Sequence, residues 1–243
     1  MVPEKQITEF VSRMRSAAGG NLRSVVLYGS AAAGEFHPDF SNVNLLCVLG
    51  ETSFAALSAI APIVKWWTDK KHHPPLVLTA DELNRSADVF SIELLDMKQW
   101  HRVLFGDNFL SSLQIPLHLH RAQLEYELRE KTILLRQEMM RFSDHSRELW
   151  NLLLQSLPAF ATLFRHTLIA MGIEAPTAKR EAIQVLSTHI RFDPSPFLQL
   201  LDIREKKVER KQFDIKEICS RYLIAVEQIT NSVDRMLEST KSA

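Results

Sequence analysis

The sequence predicts an α+β protein in which a mixed sheet flanked by helices is followed by an all-α helical bundle. Three observations support that reading. Six of the seven glycines, at positions 19, 20, 29, 34, 50 and 106, precede Pro116, and only Gly172 follows it. Short β-type runs bounded by turn residues are confined to the same front part. From Leu117 onward, apolar residues recur at helical spacing. The division is placed between residues 1–116 and residues 117–243, at Gln114-Ile115-Pro116, because proline disfavours helix in the residue before it.

In the front part, Glu4 to Ala18 reads as a helix, with Ile7, Phe10, Val11 and Met14 at i, i+3, i+4 and i+7, ended by Gly19-Gly20-Asn21. Ser24 to Tyr28 is a short strand that stops at Gly29-Ser30. Val43 to Leu49 is almost wholly apolar, as expected of a strand buried on both faces. Thr52 to Trp67 is helical with Phe54, Leu57, Ile60 and Ile63/Val64 inward and a kink expected at Pro62. Leu76 to Thr79 is a third strand, Asp81 to Ser86 a short helix, and Phe90 to Leu95 a fourth strand.

In the back part, Leu117, Leu124, Leu128, Leu135, Met139, Phe142 and Leu149 mark one long helix, with a break expected near Ser143-Asp144. A second helix runs to Met171 and stops at Gly172, a residue suited to the left-handed position after a helix. A third covers Ala178 to Ile190, a fourth opens at Pro194-Ser195-Pro196, and the last begins at Asp214. Ile218, Tyr222, Ala225, Ile229, Val233 and Leu237 form its inward row.

Composition excludes several functions. Lys plus Arg equals Asp plus Glu at 29 each, so the basic excess of a protein held to nucleic acid by bulk charge is missing. The longest apolar runs fall far short of the roughly 20 residues that span a bilayer. The first residues lack the basic and apolar regions of a signal peptide. Cys47 and Cys219 are too few for a disulfide framework or a cysteine-rich zinc site. The expectation is a cytoplasmic protein with reduced thiols and no membrane partner.

The informative stretch is Leu27-Tyr28-Gly29-Ser30-Ala31-Ala32-Ala33-Gly34, then Ser41-Asn42-Val43-Asn44-Leu45-Leu46. A strand ends in Gly-Ser, a turn follows, and a second strand opens with polar-x-polar. Over residues 20–110 this resembles the nucleotidyltransferase superfamily that includes DNA polymerase β and the kanamycin-type minimal nucleotidyltransferases. The resemblance implies that Gly29 lets the backbone approach a triphosphate and that Ser30 offers its hydroxyl and backbone N–H groups at the opening of a helical turn. It further implies an Asp-x-Asp pair, projecting from one strand face because i and i+2 point alike, that holds Mg²⁺ against the phosphates.

This chain carries Asn42 and Asn44 at the two Asp positions. An amide oxygen can ligate Mg²⁺, yet it has no net charge and cannot serve as a general base. Pro74 to Leu78 contains no acid, Asp39 precedes the strand in a loop, and Glu93 is the carboxylate left on the expected fourth strand. The reading is a nucleotidyltransferase-fold protein impaired in catalysis, with nucleotide binding or a regulatory role left to it and no tightly bound cofactor. The alternative is an active enzyme that uses Mg²⁺ and a nucleoside triphosphate to transfer a nucleoside monophosphate to a hydroxyl of a small molecule, protein or RNA. An apolar stripe left exposed on the long helix after Leu117 would be covered by a homodimer.

Other features read as structural. His72-His73 lacks further ligands with metal spacing, as does His118-x-His120. Trp66-Trp67 is a helix end packed on the sheet, and Glu205 to Lys211 is a mixed-charge surface segment. No Arg and His in the bundle are separated by the four to six residues of certain helical ribonucleases.

Overall fold

The computed structural model describes residues 2–34, 36 and 42–241. The chain separates into two compact units, Met1–Leu117 and His118–Ala243. In the first, α1 (Glu4–Ala18) buries Ile7, Phe10 and Met14 and is followed by β1 (Leu22–Tyr28), a 3₁₀ turn (Gly29–Ala31) and β2 (Asn44–Leu49). Then come α2 (Phe54–Asp69), β3 (Leu76–Thr79), α3 (Ala80–Arg85), α4 (Ser91–Gln99) and β4 (His101–Gly106). The sheet order is β3-β2-β1-β4. β1 is antiparallel to both neighbours and β3 parallel to β2, which makes the sheet mixed.

Strand alternation sorts the core into two layers. Val25, Leu27, Leu45, Cys47 and Leu49 pack with Ile7, Phe10 and Met14 of α1 and Ile60 and Trp67 of α2. On the other face, Val26, Leu46 and Val48 pack with Leu83 of α3 and Leu94 and Met97 of α4. β2 is therefore covered on both sides, as its run of apolar residues requires. Caps fix where helices begin: Ser53 accepts the Ala56 N–H at α2, and Thr79 and Glu82 form a reciprocal capping box at α3.

Two expectations fail here. Phe90 to Leu95 is not a strand; it enters α4, and the fourth strand lies further on, at His101–Gly106. Ile92 and Leu94 are both buried and mimic a period of two, and a six-residue window cannot separate that from a helical turn. Glu93 consequently sits on a helix. In α2, Phe54 is 87% and Leu57 39% exposed, because packing on the α1–sheet core begins only at Ile60. Pro62 lies inside α2, which the structure assigns as one helix.

The tryptophan pair is structural. Trp67 is buried against Phe10, with ring centroids 4.9 Å apart, and stacks on His72 at 3.9 Å. Its indole N–H donates to the His73 carbonyl over 2.9 Å. His72 also bonds to the Gln6 side chain, so the segment after α2 is pinned to α1 and α2.

The second unit contains α5 (His120–Arg141), α6 (Ser146–Ala170), α7 (Lys179–His189), α8 (Ser195–Arg204) and α9 (Ile215–Lys241), with no strand among its described residues. The long helix expected after Leu117 breaks at residues 142–145. Leu124, Leu128, Leu135 and Leu149 are buried, so most of its apolar stripe is used within the chain, and Leu117 is left exposed. A different row on α5, Tyr126, Ile133 and Met140, faces solvent. The side chain of Leu237 lies outside the described residues. The centre is aromatic: Phe197 lies 4.4 Å from Tyr222 and 4.9 Å from Phe164 between ring centroids, and the Tyr222 hydroxyl meets Ser156 Oγ at 3.2 Å.

A buried polar chain runs through the same unit. Arg165 Nη2 donates to His166 Nε2 over 3.1 Å. Since arginine only donates, His166 Nε2 must accept, which leaves His166 Nδ1–H to face His120 Nε2 at 3.4 Å. His118 is exposed, so the two histidines of His118-x-His120 diverge. Burial, and then the neighbouring His166, press His120 down to about 4; burial lowers Arg165 to about 10.

Two outcomes follow for stability. Phe197→Ala opens a cavity in the aromatic cluster and lowers the unfolding free energy by about 3–5 kcal/mol, measurable by urea denaturation. His120 titrates lower in the folded chain than its ordinary 6.5, so the unfolded chain binds the extra proton in between. Stability is then fully present above that ordinary value and lost progressively as pH falls toward the folded one. Melting temperature measured across this window drops in the native protein, and the drop is shallower in His120→Gln.

Candidate functional site

The site is built on the end of β1. Gly29 has φ +75°, a left-handed conformation that glycine adopts without strain. Its N–H donates to the Trp100 carbonyl over 3.1 Å, and its own carbonyl accepts from Ala32 and Ala33 at 2.9 and 3.0 Å. The strand is thereby turned into a 3₁₀ turn that carries Ser30, half-buried, on its first residues.

Register lays out the rest. Tyr28 lies opposite Asn44 on β2 and opposite His101 on β4. Directly opposed residues of antiparallel strands share a face, so Asn44, Tyr28 and His101 form a row across the sheet. Tyr28 packs on the layer that contains Leu94 and Met97 of α4, which places the row on the α4 side. Glu93 of α4 is close enough that its negative charge adds to burial, the larger cause, in raising the Tyr28 hydroxyl. Thus Gly29, Ser30, Asn44 and Glu93 are assembled around one end of β1, although Glu93 arrives from a helix.

Asn44 and Asn42 are not equivalent. Asn44 opens β2, and its amide nitrogen lies where a Cβ on residue 29 would come within 3.2 Å, so it rests directly on the glycine. Asn42 precedes the strand and is exposed. Val43, buried in the α1–α2 layer, separates them in the alternation expected of the strand. Asp39 and Ser41 lie outside the described residues.

A resident magnesium ion does not fit these donors. Two are neutral amides, one laid against Gly29, and the carboxylate comes from a different element. Among the described residues no group of three His, Cys, Asp or Glu side chains is placed to hold a metal.

Sequence reasoning quoted Tyr28 only as a flank of the Gly29-Ser30 motif and missed His101 altogether. The imidazole is fixed on both nitrogens: Nδ1 bonds to the Lys98 carbonyl at 3.1 Å and Nε2 to the Asn108 amide nitrogen at 3.0 Å. The run His101 to Phe105 before Gly106 was the available signal, a β-type segment ended by a turn residue.

No family model matches the chain, and no curated protein does. Among solved structures it is similar to a spectinomycin adenyltransferase from Enterococcus faecialis, determined with ATP and spectinomycin. The two are 14% identical with a TM-score of 0.57, over 95% of this chain and 99% of that one. No described helix is long and apolar enough to cross a membrane. The likeness concerns architecture: this chain has the nucleotidyltransferase fold, a mixed four-stranded sheet flanked by helices, followed by a helical unit.

Proposed function

We propose that the front unit is a nucleotide-binding module that keeps the Gly29–Ser30 turn but lacks the charge for magnesium-assisted transfer, so that the chain acts by binding or regulation. The observation that carries this reading is the donor set, amides at positions 42 and 44. At an effective dielectric near 20, a carboxylate about 4 Å from a divalent ion is worth on the order of several kcal/mol before desolvation. Two such contributions are missing. Magnesium gives up water reluctantly and normally takes carboxylates or phosphates in return. The Gly29 turn needs none of that charge, because its contacts to a phosphate would use backbone N–H groups and the Ser30 hydroxyl.

Two observations favour the alternative of an active transferase. The similar structure is an adenyltransferase determined with ATP, and Glu93 places one carboxylate near the turn. In that reading Glu93 accepts the proton of an attacking hydroxyl while the oxygen forms a bond to the α-phosphorus and pyrophosphate leaves.

The two readings separate by experiment. Calorimetric titration of the native chain with ATP is expected to show weak binding that changes little between EDTA and Mg²⁺. Gly29→Ala, which forces a side chain into a left-handed position and against Asn44, is expected to weaken it by at least ~10-fold. Asn42→Asp combined with Asn44→Asp is expected to raise Mn²⁺ affinity by at least ~10-fold over the native chain. Labelled nucleotide transferred to a component of cell extract, and lost in Glu93→Gln, would establish the enzyme reading instead.

A further inference from the structure

His101 lies beside the Gly29–Ser30 turn, opposite Tyr28 in the row across the sheet. It occupies the corner where α4 turns into β4. Its Nδ1 bonds to the Lys98 carbonyl at 3.1 Å, back across that corner. Its Nε2 bonds to the Asn108 amide nitrogen at 3.0 Å. The Asn108 amide is itself oriented, because its oxygen accepts the Ser111 N–H over 3.2 Å and so leaves the nitrogen to face the ring. An amide nitrogen only donates; His101 Nε2 therefore accepts, and Nδ1–H donates to Lys98. Both ring nitrogens and the tautomer are set by neighbours.

Between Lys98 and His101 in the chain is Trp100, whose carbonyl accepts the Gly29 N–H. Trp100 has φ −124° and ψ 84°, outside the helix and short of a regular strand, so its peptide orientation depends on what braces the corner. Two bonds do so from either side: the Trp100 N–H to the Asp96 carbonyl at 2.8 Å, and the His101 ring to Lys98. Lys98 is held in turn, its ammonium donating to the Leu113 carbonyl over 2.7 Å.

We propose that His101 is a positioning residue for the phosphate-binding turn: it locks the α4–β4 corner so that the Trp100 carbonyl meets the Gly29 N–H and holds Gly29 in its left-handed conformation. The effect on nucleotide rests on the reading of that turn as a triphosphate site; the effect on Gly29 does not. The ring's two hydrogen bonds go to Lys98 and Asn108 and not to the turn itself. It acts through one peptide unit, and the part that matters is the Nδ1 donor. An asparagine at this position carries its amide N–H close to where Nδ1–H stands, whereas glutamine places its amide near Nε2 and alanine offers neither.

The test measures amide hydrogen exchange at Gly29 by NMR in the full-length native chain and in His101→Asn, His101→Gln and His101→Ala. Gly29 exchange should rise at least ~10-fold in His101→Ala and His101→Gln and return toward native in His101→Asn. Amides in the middle of β1, such as Val26, serve as the internal reference and should change little. A general loss of stability would move all β1 amides together, so an equal rise at Val26 and Gly29 overturns the proposal. So does a Gly29 exchange rate unchanged in His101→Ala, or a His101→Asn variant no better than His101→Ala. ATP titration of the same variants is the second arm. Weakened binding that follows the Gly29 order joins the brace to the ligand. A native chain that does not bind ATP removes the nucleotide reading and leaves the exchange result to decide the brace.

Discussion

At the end of β1, the Gly29 N–H reaches the Trp100 carbonyl over 3.1 Å, and that bond fixes where the central strand stops. β1 is paired on both edges, to β2 and to β4, so its register sets the register of the whole sheet. Sliding it by one residue would turn Val25 and Leu27 out of the α1–α2 layer and Val26 out of the α4 layer. Both layers oppose that slip, and the hydrophobic cores therefore determine which residue stands at the turn. Gly106 restricts the same strand from its other end. A Cβ there would meet the Arg23 carbonyl oxygen at 1.8 Å, so β4 can close on β1 only with glycine at that position.

Once β1 is fixed, the site needs little more. Tyr28 brings Asn44 and His101 into one row, and α4, packed beneath through Leu94 and Met97, carries Glu93 toward it. The arrangement explains why half-buried polar groups tolerate this position. Asn44 is only partly buried where β2 opens, and His101 is bonded on both nitrogens. Burying such groups without partners would cost a few kcal/mol apiece.

Much of this was legible in the sequence, and the failures have physical causes. Glu4 to Ala18 and the chain beyond Leu117 were readable because amphipathic periodicity persists over several turns. β2 was readable because a strand covered on both faces must be apolar throughout. Gly29-Ser30 stood out only together with Tyr28, Gly34, the spacing and the apolar second strand, which as a set resemble a known motif. A Gly-Ser turn alone is common, and the left-handed φ of Gly29 belongs to the folded chain. Phe90 to Leu95 was misread because Ile92 and Leu94 are both buried, and only pairing with β1 reveals that the strand is the next segment. Phe54 and Leu57 were assigned inward because apolar character alone does not say how far a sheet extends beneath a helix. The contacts of His101 were invisible, since they depend on Asn108, Lys98 and a register that no local pattern encodes. His120 and His166 meet across 46 positions of sequence, and spacing rules for metal ligands or paired catalytic residues do not register such a pair.

Asparagine differs from aspartate by an NH₂ group in place of an oxygen, so position 44 keeps its volume while losing its charge. In a half-buried site that difference acts on the fold as well as on any ligand. A carboxylate at residue 44 would stand in the same row as Tyr28, whose hydroxyl already feels the charge of Glu93. Like charges held near one another in a desolvated place raise each other's pKa or require a cation between them. With an amide at residue 44 the row carries no such demand. The turn is held by the Gly29–Trp100 backbone bond and the sheet register, neither of which depends on a charge at residue 44. The shape of the turn and the charge beside it are thus physically separable in this fold: backbone geometry sets the first, and the residue type at position 44 sets the second.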